Sequence, residues 1–183
     1  MNTVIEDGTG SGSIAAVVGN ELQVTTETEA MKANVRGDAY TVIADSVDPD
    51  GAASDWFYMM NNDSRNLIIY RISGWCVSTD EEFNILLGAT DAGSDAGDVI
   101  TPVNNNVGSG KLPEIDCTSD TTDLAITGGS IVTTVKFDHV TLQASSHLFP
   151  SGIILAPGTR LHMEAAGAGI VHMNLYFYME KEC

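Results

Sequence analysis

The chain is poor in cysteine and contains no paired cysteine motif. Its three cysteines, at positions 76, 117 and 183, are an odd and sparse set, which excludes a disulfide framework. There is no Cys-x-x-Cys pair, so a structural zinc site is not predicted. Cys76 follows a tryptophan and is expected to pack as a small hydrophobic residue. Cys183 is expected to be a free, exposed thiol.

Basic residues are also scarce, and this shortage excludes one class of partner. Eight Lys and Arg stand against 25 Asp and Glu, which gives a formal net charge of −17. Such a surface repels phosphate, so no nucleic-acid partner is predicted. The acidic residues are spread along the chain, which favours a role in solubility over a single acidic site.

Long apolar runs are missing as well. No run reaches the roughly 20 residues that span a bilayer, so no membrane partner is predicted. Residues 1–7 lack a basic region followed by an apolar core, so a signal peptide is not predicted and synthesis in a cytoplasm is expected. Apolar residues nevertheless make up 43% of the 183 residues and charged residues 18%, which is typical of a globular protein.

Many short strand patterns separated by Gly, Asp and Asn predict an all-β protein, an antiparallel β-sandwich or jelly roll. We expect residues 1–38 to form an N-terminal arm, hairpin and crossover, and residues 39–183 to form the sandwich domain. The predicted strands of that domain are 40–47, 55–61, 66–78, 83–89, 99–103, 111–116, 130–142, 152–156, 159–166 and 170–179.

The N-terminal region has three parts. Residues 1–12 are predicted to be an extended arm that adds a strand to a neighbouring molecule. The apolar segments 14–18 and 21–25 flank Gly19-Asn20, a pair suited to a two-residue hairpin turn. The polar stretch 26–38 is compatible with a short helix through 27–34 and equally with an extended crossover.

Two segments predict self-association. Residues 56–60 (WFYMM) and 67–72 (LIIYRI) are apolar at both odd and even positions. Successive side chains of a strand point to opposite faces, so both faces of these strands are apolar. An antiparallel sheet usually exposes one polar face. A partner subunit is the simplest cover for the second face, and we therefore predict a homo-oligomer, most simply a trimer.

The last two strand patterns are predicted to form a hairpin whose turn centres on Gly167. In that register Leu161 pairs with Met173 and Met163 pairs with Val171. The predicted core face of the hairpin is Leu161, Met163, Val171, Met173, Leu175 and Phe177. The other face carries His162 opposite His172, with Glu164 beside them.

This histidine pair is the sharpest candidate site in the sequence. Two imidazoles and a carboxylate, His162, His172 and Glu164, are able to hold a transition metal. The alternative is a polar or subunit-facing patch, and this is the interpretation we adopt, so no metal is predicted. Two acidic runs, Asp91, Asp95 and Asp98 and also Asp45, Asp48 and Asp50, lack a calcium-loop pattern and are predicted to be solvated turns.

Other catalytic motifs are absent from the sequence. There is no G-x-S-x-G elbow, and GTGSG at 8–12 lacks the features of a phosphate-binding loop and is predicted to be a flexible linker. Nothing favours Cys76 or Cys117 as a nucleophile over core packing. We therefore predict no catalytic residues, no cofactor and no enzymatic activity.

Several short blocks resemble small virion proteins of tailed bacteriophages. The blocks are IEDGTG at 5–10, NELQV at 20–24, GDAY at 37–40, TPVNNNVGSG at 101–110 and IILAPGTRL at 153–161. The resemblance covers most of the chain in order. It implies a β-rich structural protein of a phage particle, and it assigns no catalytic or ligand residues.

The first functional expectation is a capsid decoration or cement protein that binds the major capsid protein or another virion protein and stabilises the head shell. A tail, collar or receptor-binding component is the second expectation. The third is a cupin-like metalloenzyme that uses His162 and His172. The expected location is the virion, after synthesis in the host cytoplasm.

Overall fold

A computed structural model describes residues 28–49, 51, 53–77, 79–91, 97–139, 144–167 and 169–181 and the strand positions of 4–6, 14–18 and 21–25. Their elements in chain order are β1 (Val4–Glu6), β2 (Ile14–Val18), β3 (Glu21–Thr25), α1 (Glu29–Arg36), β4 (Ala39–Val47), β5 (Ser54–Asn61), β6 (Leu67–Cys76), β7 (Glu81–Ala89), β8 (Asp98–Val99), β9 (Val103–Asn104), β10 (Ile115–Ser119), β11 (Gly128–Phe137), β12 (Ser145–Leu155), β13 (Arg160–Ala165) and β14 (Val171–Met179).

The protein is an all-β sandwich, as predicted. A six-stranded antiparallel sheet has the order β11-β7-β13-β5-β10-β8, and a five-stranded antiparallel sheet has the order β12-β6-β14-β4-β9. The two sheets pack against each other. The described residues include no helix with the length and hydrophobicity needed to cross a bilayer.

The strands of the N-terminal region form a third, small sheet in the order β1-β2-β3. The predicted pairing of β2 with β3 is confirmed, with Val18 opposite Glu21. Strand β1 pairs with β2 of the same chain. The predicted linker at 8–12 lies outside the described residues, and the role of residues 1–12 as an arm stays a prediction.

Helix α1 has clear start and stop residues. Thr28 accepts a hydrogen bond from the Met31 amide through Oγ1 at 3.2 Å and caps the N-terminus. Gly37 ends the helix in the left-handed region at φ 75°, where a Cβ would overlap the Ser109 side chain. Helix α1 is therefore fixed at both ends, two residues later in the chain than the segment 27–34.

The core lies between the two large sheets and is rich in aromatic side chains. Trp56 packs against Phe83 with ring centroids 5.3 Å apart, and Phe83 against Phe137 at 5.2 Å. Tyr40 stacks on Phe177 at 5.4 Å. All five are fully buried, and aromatic pairs in such arrangements add to the stabilisation from apolar burial.

The predicted C-terminal hairpin is wrong in its pairing and right in its core face. Strand β13 pairs with β5 and β7, whereas β14 pairs with β4 and β6 in the other sheet. The chain between them crosses from one sheet to the other, so the two strands contribute to the same core from different sheets. The six residues predicted for the core face are all buried in the main core: Leu161, Met163, Val171, Met173, Leu175 and Phe177.

Candidate functional site

The predicted histidine pair is separated by the whole thickness of the sandwich. His162 lies on the outer face of the six-stranded sheet, between core-facing Leu161 and Met163. His172 lies on the outer face of the five-stranded sheet. The two imidazoles cannot share a metal ion. The predicted pairing of His162 with His172 is therefore wrong, because β13 and β14 belong to different sheets.

A β-bulge at Trp56 creates the environment of His162. Phe57 pairs with Met163, but Asp55 pairs with Glu164, so Trp56 is the extra residue of β5. The bulge turns Trp56 into the core and Asp55 towards the outer face, opposite to the orientation that regular alternation gives. Asp55 Oδ1 then lies 3.5 Å from His162 Nε2.

A loop segment between β10 and β11 covers this outer face, and we call residues 120–127 the cover segment. The Asp55 amide donates to Asp123 Oδ1, and the Asp55 carbonyl accepts from the Leu124 amide, both at 2.9 Å. Asp55 Oδ2 accepts from the Ile126 amide at 2.9 Å. Leu124 and Ile126 pack with Tyr58, so the second apolar face of β5 is covered by its own chain and needs no partner subunit.

Two polar atoms beside the cover segment, Asp55 Oδ1 and His162 Nδ1, are buried without a hydrogen-bond partner among the described residues. The Tyr58 hydroxyl is within hydrogen-bond contact of the Arg160 side chain. Arg160 Nη1 donates to the Ala89 and Thr90 carbonyls at 3.3 and 3.1 Å. Buried polar atoms without hydrogen bonds are rare because each one lowers the free energy of unfolding. We therefore expect this patch to reduce the stability of the fold.

Burial also shifts the pKa values of Asp55 and His162. The pKa of Asp55 is raised to about 6, mainly by burial and also by the nearby acids Asp123, Glu164 and Asp91, while the hydrogen bond from the Ile126 amide opposes this shift. Burial lowers the pKa of His162, against the pull of Glu164 and Asp91. A carboxylate beside an imidazole is a catalytic arrangement in other proteins. Here Asp55 and His162 are 7% and 2% exposed, so the cover segment closes the pair to a substrate.

Glu164 contacts neither histidine ring through a hydrogen bond. Its Oε1 accepts from Asn84 Nδ2 at 3.2 Å, and Asn84 Oδ1 accepts from the Thr134 hydroxyl at 2.9 Å. These contacts tie β13 to β7 and β11. Glu164 is therefore part of a polar network across three strands of the six-stranded sheet.

His172 has different neighbours on the five-stranded sheet. Its ring stacks on Trp75 with centroids 3.8 Å apart, and its Nδ1 lies 2.5 Å from Asp45 Oδ1. The same face carries a group of three tyrosines. The ring centroid of Tyr70 lies 6.3 Å from that of Tyr176 and 6.0 Å from that of Tyr178. Helix α1 borders this group, since Met31 and Asn34 line a cavity together with Tyr70, but the three tyrosine rings remain partly exposed.

The remaining predicted candidates give no metal site. In the part of the chain that the structure describes, no three His, Cys, Asp or Glu side chains are grouped so that they could hold a metal ion. Asp50, Asp95 and Cys183 lie outside that part. Cys76 and Cys117 are buried free thiols, and burial raises the pKa of both, that of Cys76 to about 12.

Two neighbouring edge strands are almost without charged residues, and we call them the uncharged flank; it is bordered by Lys136 near the end of β11 and by Arg71, whose Nε donates to Ser146 Oγ at 3.0 Å. It consists of residues 128–135 of β11 and the whole of β12, which contain no Asp, Glu, Lys or Arg. These strands are the terminal strands of the two sheets. An apolar cleft of about 530 Å³ lies between them, and its lining includes Leu87, Val132 and Phe149.

These features define an antiparallel β-sandwich with one covered outer face, one open aromatic face and one uncharged flank. Comparison of the chain with protein-family models, with curated proteins and with solved structures gives no match. The prediction of function therefore depends on the chemistry of these surfaces. Sequence patterns missed Asp55 and the cover segment, because only the bulge at Trp56 brings them together.

Proposed function

We propose that the protein is a non-enzymatic structural subunit of a tailed-bacteriophage particle, a capsid decoration or cement protein that associates with copies of itself and with the shell. The observation that carries this proposal is the uncharged flank. Two copies with a net charge of −17 repel each other. They approach at lowest electrostatic cost where each presents a surface without charge.

The flank also offers the groups that hold strands together. Ile131 and Val132 on β11 and Leu148 and Ile154 on β12 are exposed. Terminal strands carry backbone N–H and C=O groups available for pairing, and proteins usually protect such edges with charged residues. Here residues 128–135 of β11 and all of β12 lack charged residues. Pairing of this edge with a second copy extends a sheet across the interface and buries the apolar cleft.

A trimer remains the expected oligomer, and the major capsid protein or another virion protein remains the expected partner. The resemblance to small phage virion proteins in the blocks quoted above supports the location on a particle. The sealed Asp55–His162 pair supports a non-enzymatic role, because a substrate has no access to it.

Static light scattering tests the self-association. The wild-type protein is expected to have a mass that is a multiple of 19.4 kDa at micromolar concentration. Val132→Glu puts a charge on the flank and is expected to give a monomer. The matched control is Val99→Glu on β8, at the opposite end of the same sheet, where Val99 is also exposed. A monomeric wild type, or equal behaviour of the two variants, would contradict the proposal.

Quantification of the protein in purified particles tests its position. Many copies per particle support a role in the shell. A few copies indicate the tail or the neck, and none would refute the virion assignment.

A second candidate is a receptor-binding tail component, and the open aromatic face favours it. Tyr70, Tyr176 and Tyr178 are half-buried, with Arg71 5.0 Å from the Tyr176 ring centre. Half-exposed tyrosines offer flat apolar surface together with hydroxyl groups, which suits sugar rings. Glycan-array binding by the wild type that is lost in Tyr178→Ala would support this candidate, and the absence of binding by the wild type would reject it.

A further inference from the structure

Half of the few cations in this protein surround one cleft, although the chain as a whole is strongly acidic. The cleft measures about 570 Å³ and is lined by Arg36, Asp38, Tyr40, Arg65, Lys111, Leu112 and Lys181. We call it the basic cleft. Four of the eight Lys and Arg residues of the chain lie there, from the end of α1, two loops and the segment after β14.

Asp38 gathers three of these cations. Its Oδ1 accepts from Lys111 Nζ at 3.0 Å and from Arg65 Nη1 at 3.2 Å, and its Oδ2 accepts from Arg36 Nε at 3.4 Å. Burial opposes ionisation of Asp38, but the hydrogen bonds from Lys111 and Arg65 outweigh it and lower the pKa. Asp38 is therefore a fixed anion that holds the cations near each other.

Arg65 is held in place from its other side. Asp63 accepts from Arg65 Nε at 3.0 Å and from Nη2 at 2.9 Å, the paired geometry that a guanidinium and a carboxylate adopt. Because Arg65 is held by Asp38 and Asp63, its side chain already has a fixed conformation in the free protein. Less conformational entropy is then lost when a ligand binds to the cleft.

The cations exceed the acids that neutralise them. Asp38 and Asp63 are the only carboxylates in ion pairs with the four cations among the described residues, which leaves an excess of two positive charges. Lys181 makes no hydrogen bond or ion pair within the described part of the chain. The Lys111 side chain is 53% exposed, and only one of its three N–H donors contacts Asp38. Donors therefore remain for an added anion.

We propose that the basic cleft binds a carboxylate-bearing segment of a partner protein, an acidic peptide. Lys111 and Lys181 bind its carboxylates, and the exposed side chain of Leu112 contacts its methylene groups. A long polyanion such as nucleic acid extends beyond the cleft onto the acidic surface and is repelled there. A short acidic segment places its charge inside the cleft alone.

Fluorescence anisotropy with a labelled hexaglutamate peptide at low salt tests the proposal. The wild-type protein is expected to bind, and the double variant Lys111→Gln, Lys181→Gln is expected to bind about tenfold more weakly, which is about 1.4 kcal/mol. The matched control is Lys32→Gln, Lys136→Gln, which changes the net charge equally at positions outside the cleft lining and is expected to bind like the wild type.

Leu112→Glu is a second variant that leaves the Asp38 network intact. It places a negative charge at the rim and is expected to weaken peptide binding to a similar extent, while thermal unfolding confirms that the protein is folded. No binding by the wild type, or equal weakening in the two lysine double variants, would overturn the proposal. Displacement of the peptide by inorganic phosphate at lower concentration than by free glutamate would overturn the assignment to carboxylates. The assay is independent of the oligomeric state.

Discussion

The two outer faces of the sandwich differ in how far their apolar and aromatic side chains are shielded from water. On the outer face of the six-stranded sheet, the cover segment closes the part around β5, and Asp55, Tyr58 and His162 are buried there. The outer face of the five-stranded sheet leaves Tyr70, Tyr176 and Tyr178 half-exposed. The closed face gains apolar burial but retains polar atoms without partners, whereas the open face keeps its polar groups in water. Stability should therefore depend on the first face and binding on the second.

Removal of an apolar side chain from the closed face gives the largest expected effect. Leu124 belongs to the cover segment and its side chain is fully buried, so Leu124→Ala is expected to lower the free energy of unfolding by about 2–5 kcal/mol. Leu148→Ala on β12 is the matched control, because Leu148 is 68% exposed, and it should change the value by about 0.5 kcal/mol or less. Urea unfolding measures both, and equal losses would abolish the contrast between the faces.

Asp55 on the closed face should make stability depend on pH. Its pKa in the fold is about 6 against 3.8 for a free aspartate, so its contribution to stability is full below pH 3.8 and is lost as pH rises through 6. Asp55→Asn keeps an acceptor for the Ile126 amide without the buried charge. It is expected to stabilise the protein at pH 7.5 by up to about 3 kcal/mol, with the gain shrinking towards pH 4.

Thermal unfolding from pH 4 to 8 measures this gain as a difference from the wild type. His162 acts in the opposite direction, because its lowered pKa removes stability as pH falls below 6.5, but it is present in both proteins. Asp98→Asn is the control, since Asp98 is exposed, and at pH 7.5 it should change the unfolding temperature much less than Asp55→Asn does. A destabilised Asp55→Asn protein at pH 7.5 would show that the Asp55 charge is favourable.

Replacement of Gly129, which lies against the His162 ring, by a residue with a side chain should destabilise the fold. Gly129 has φ +100°, and a Cβ there would lie 2.9 Å from His162 Cε1. Gly129→Ala is expected to lower the free energy of unfolding by about 1–3 kcal/mol through this strain. Gly110→Ala, where the added Cβ meets no atom within 4 Å, should have a much smaller effect. The same chemical denaturation series measures both variants, and the NMR signals of the His162 ring should shift only in the first.

The smallest effect is expected on the open face. Asp45 Oδ1 contacts His172 Nδ1, but the Asp45 side chain is 73% exposed. Asp45→Asn is therefore expected to change the unfolding free energy by less than about 1 kcal/mol. Thermal unfolding near neutral pH checks this, and a larger loss would mean that the open face carries more stability than its exposure suggests.

Alternation along the chain correctly predicted which side chains of β13 and β14 face the core. Leu161 and Met163 are buried as expected, and so are Leu175 and Phe177. Pairing could not be predicted in the same way. Two strands can each bury one apolar face in the core whether they pair in the same sheet or lie in the two different sheets, so the apolar pattern does not distinguish these arrangements. The choice depends on the chain crossing between β13 and β14, which carries no distinctive residue pattern.

Two further errors have local causes. Strand β12 begins at Ser145, well before the predicted 152, because Pro150 and Gly152 resemble turn residues. A proline and a glycine are compatible with a strand at the edge of a sheet. Here Pro150 and Gly152 lie where the register of β12 against β6 shifts, between Leu148 and Ile153. The prediction that 56–60 needs a partner subunit failed because its cover lies in a distant part of the chain.

The attachment of the cover segment to β5 has a consequence for local opening. The segment lies outside both sheets and is joined to β5 by three hydrogen bonds, from the Asp55, Leu124 and Ile126 amides, and by the packing of Leu124 and Ile126. The strands beneath it are instead joined by ladders of backbone hydrogen bonds. The cover segment should therefore open before the sheets separate. In native-state hydrogen exchange, the Leu124 and Ile126 amides would then exchange together, ahead of the amides of the central strands.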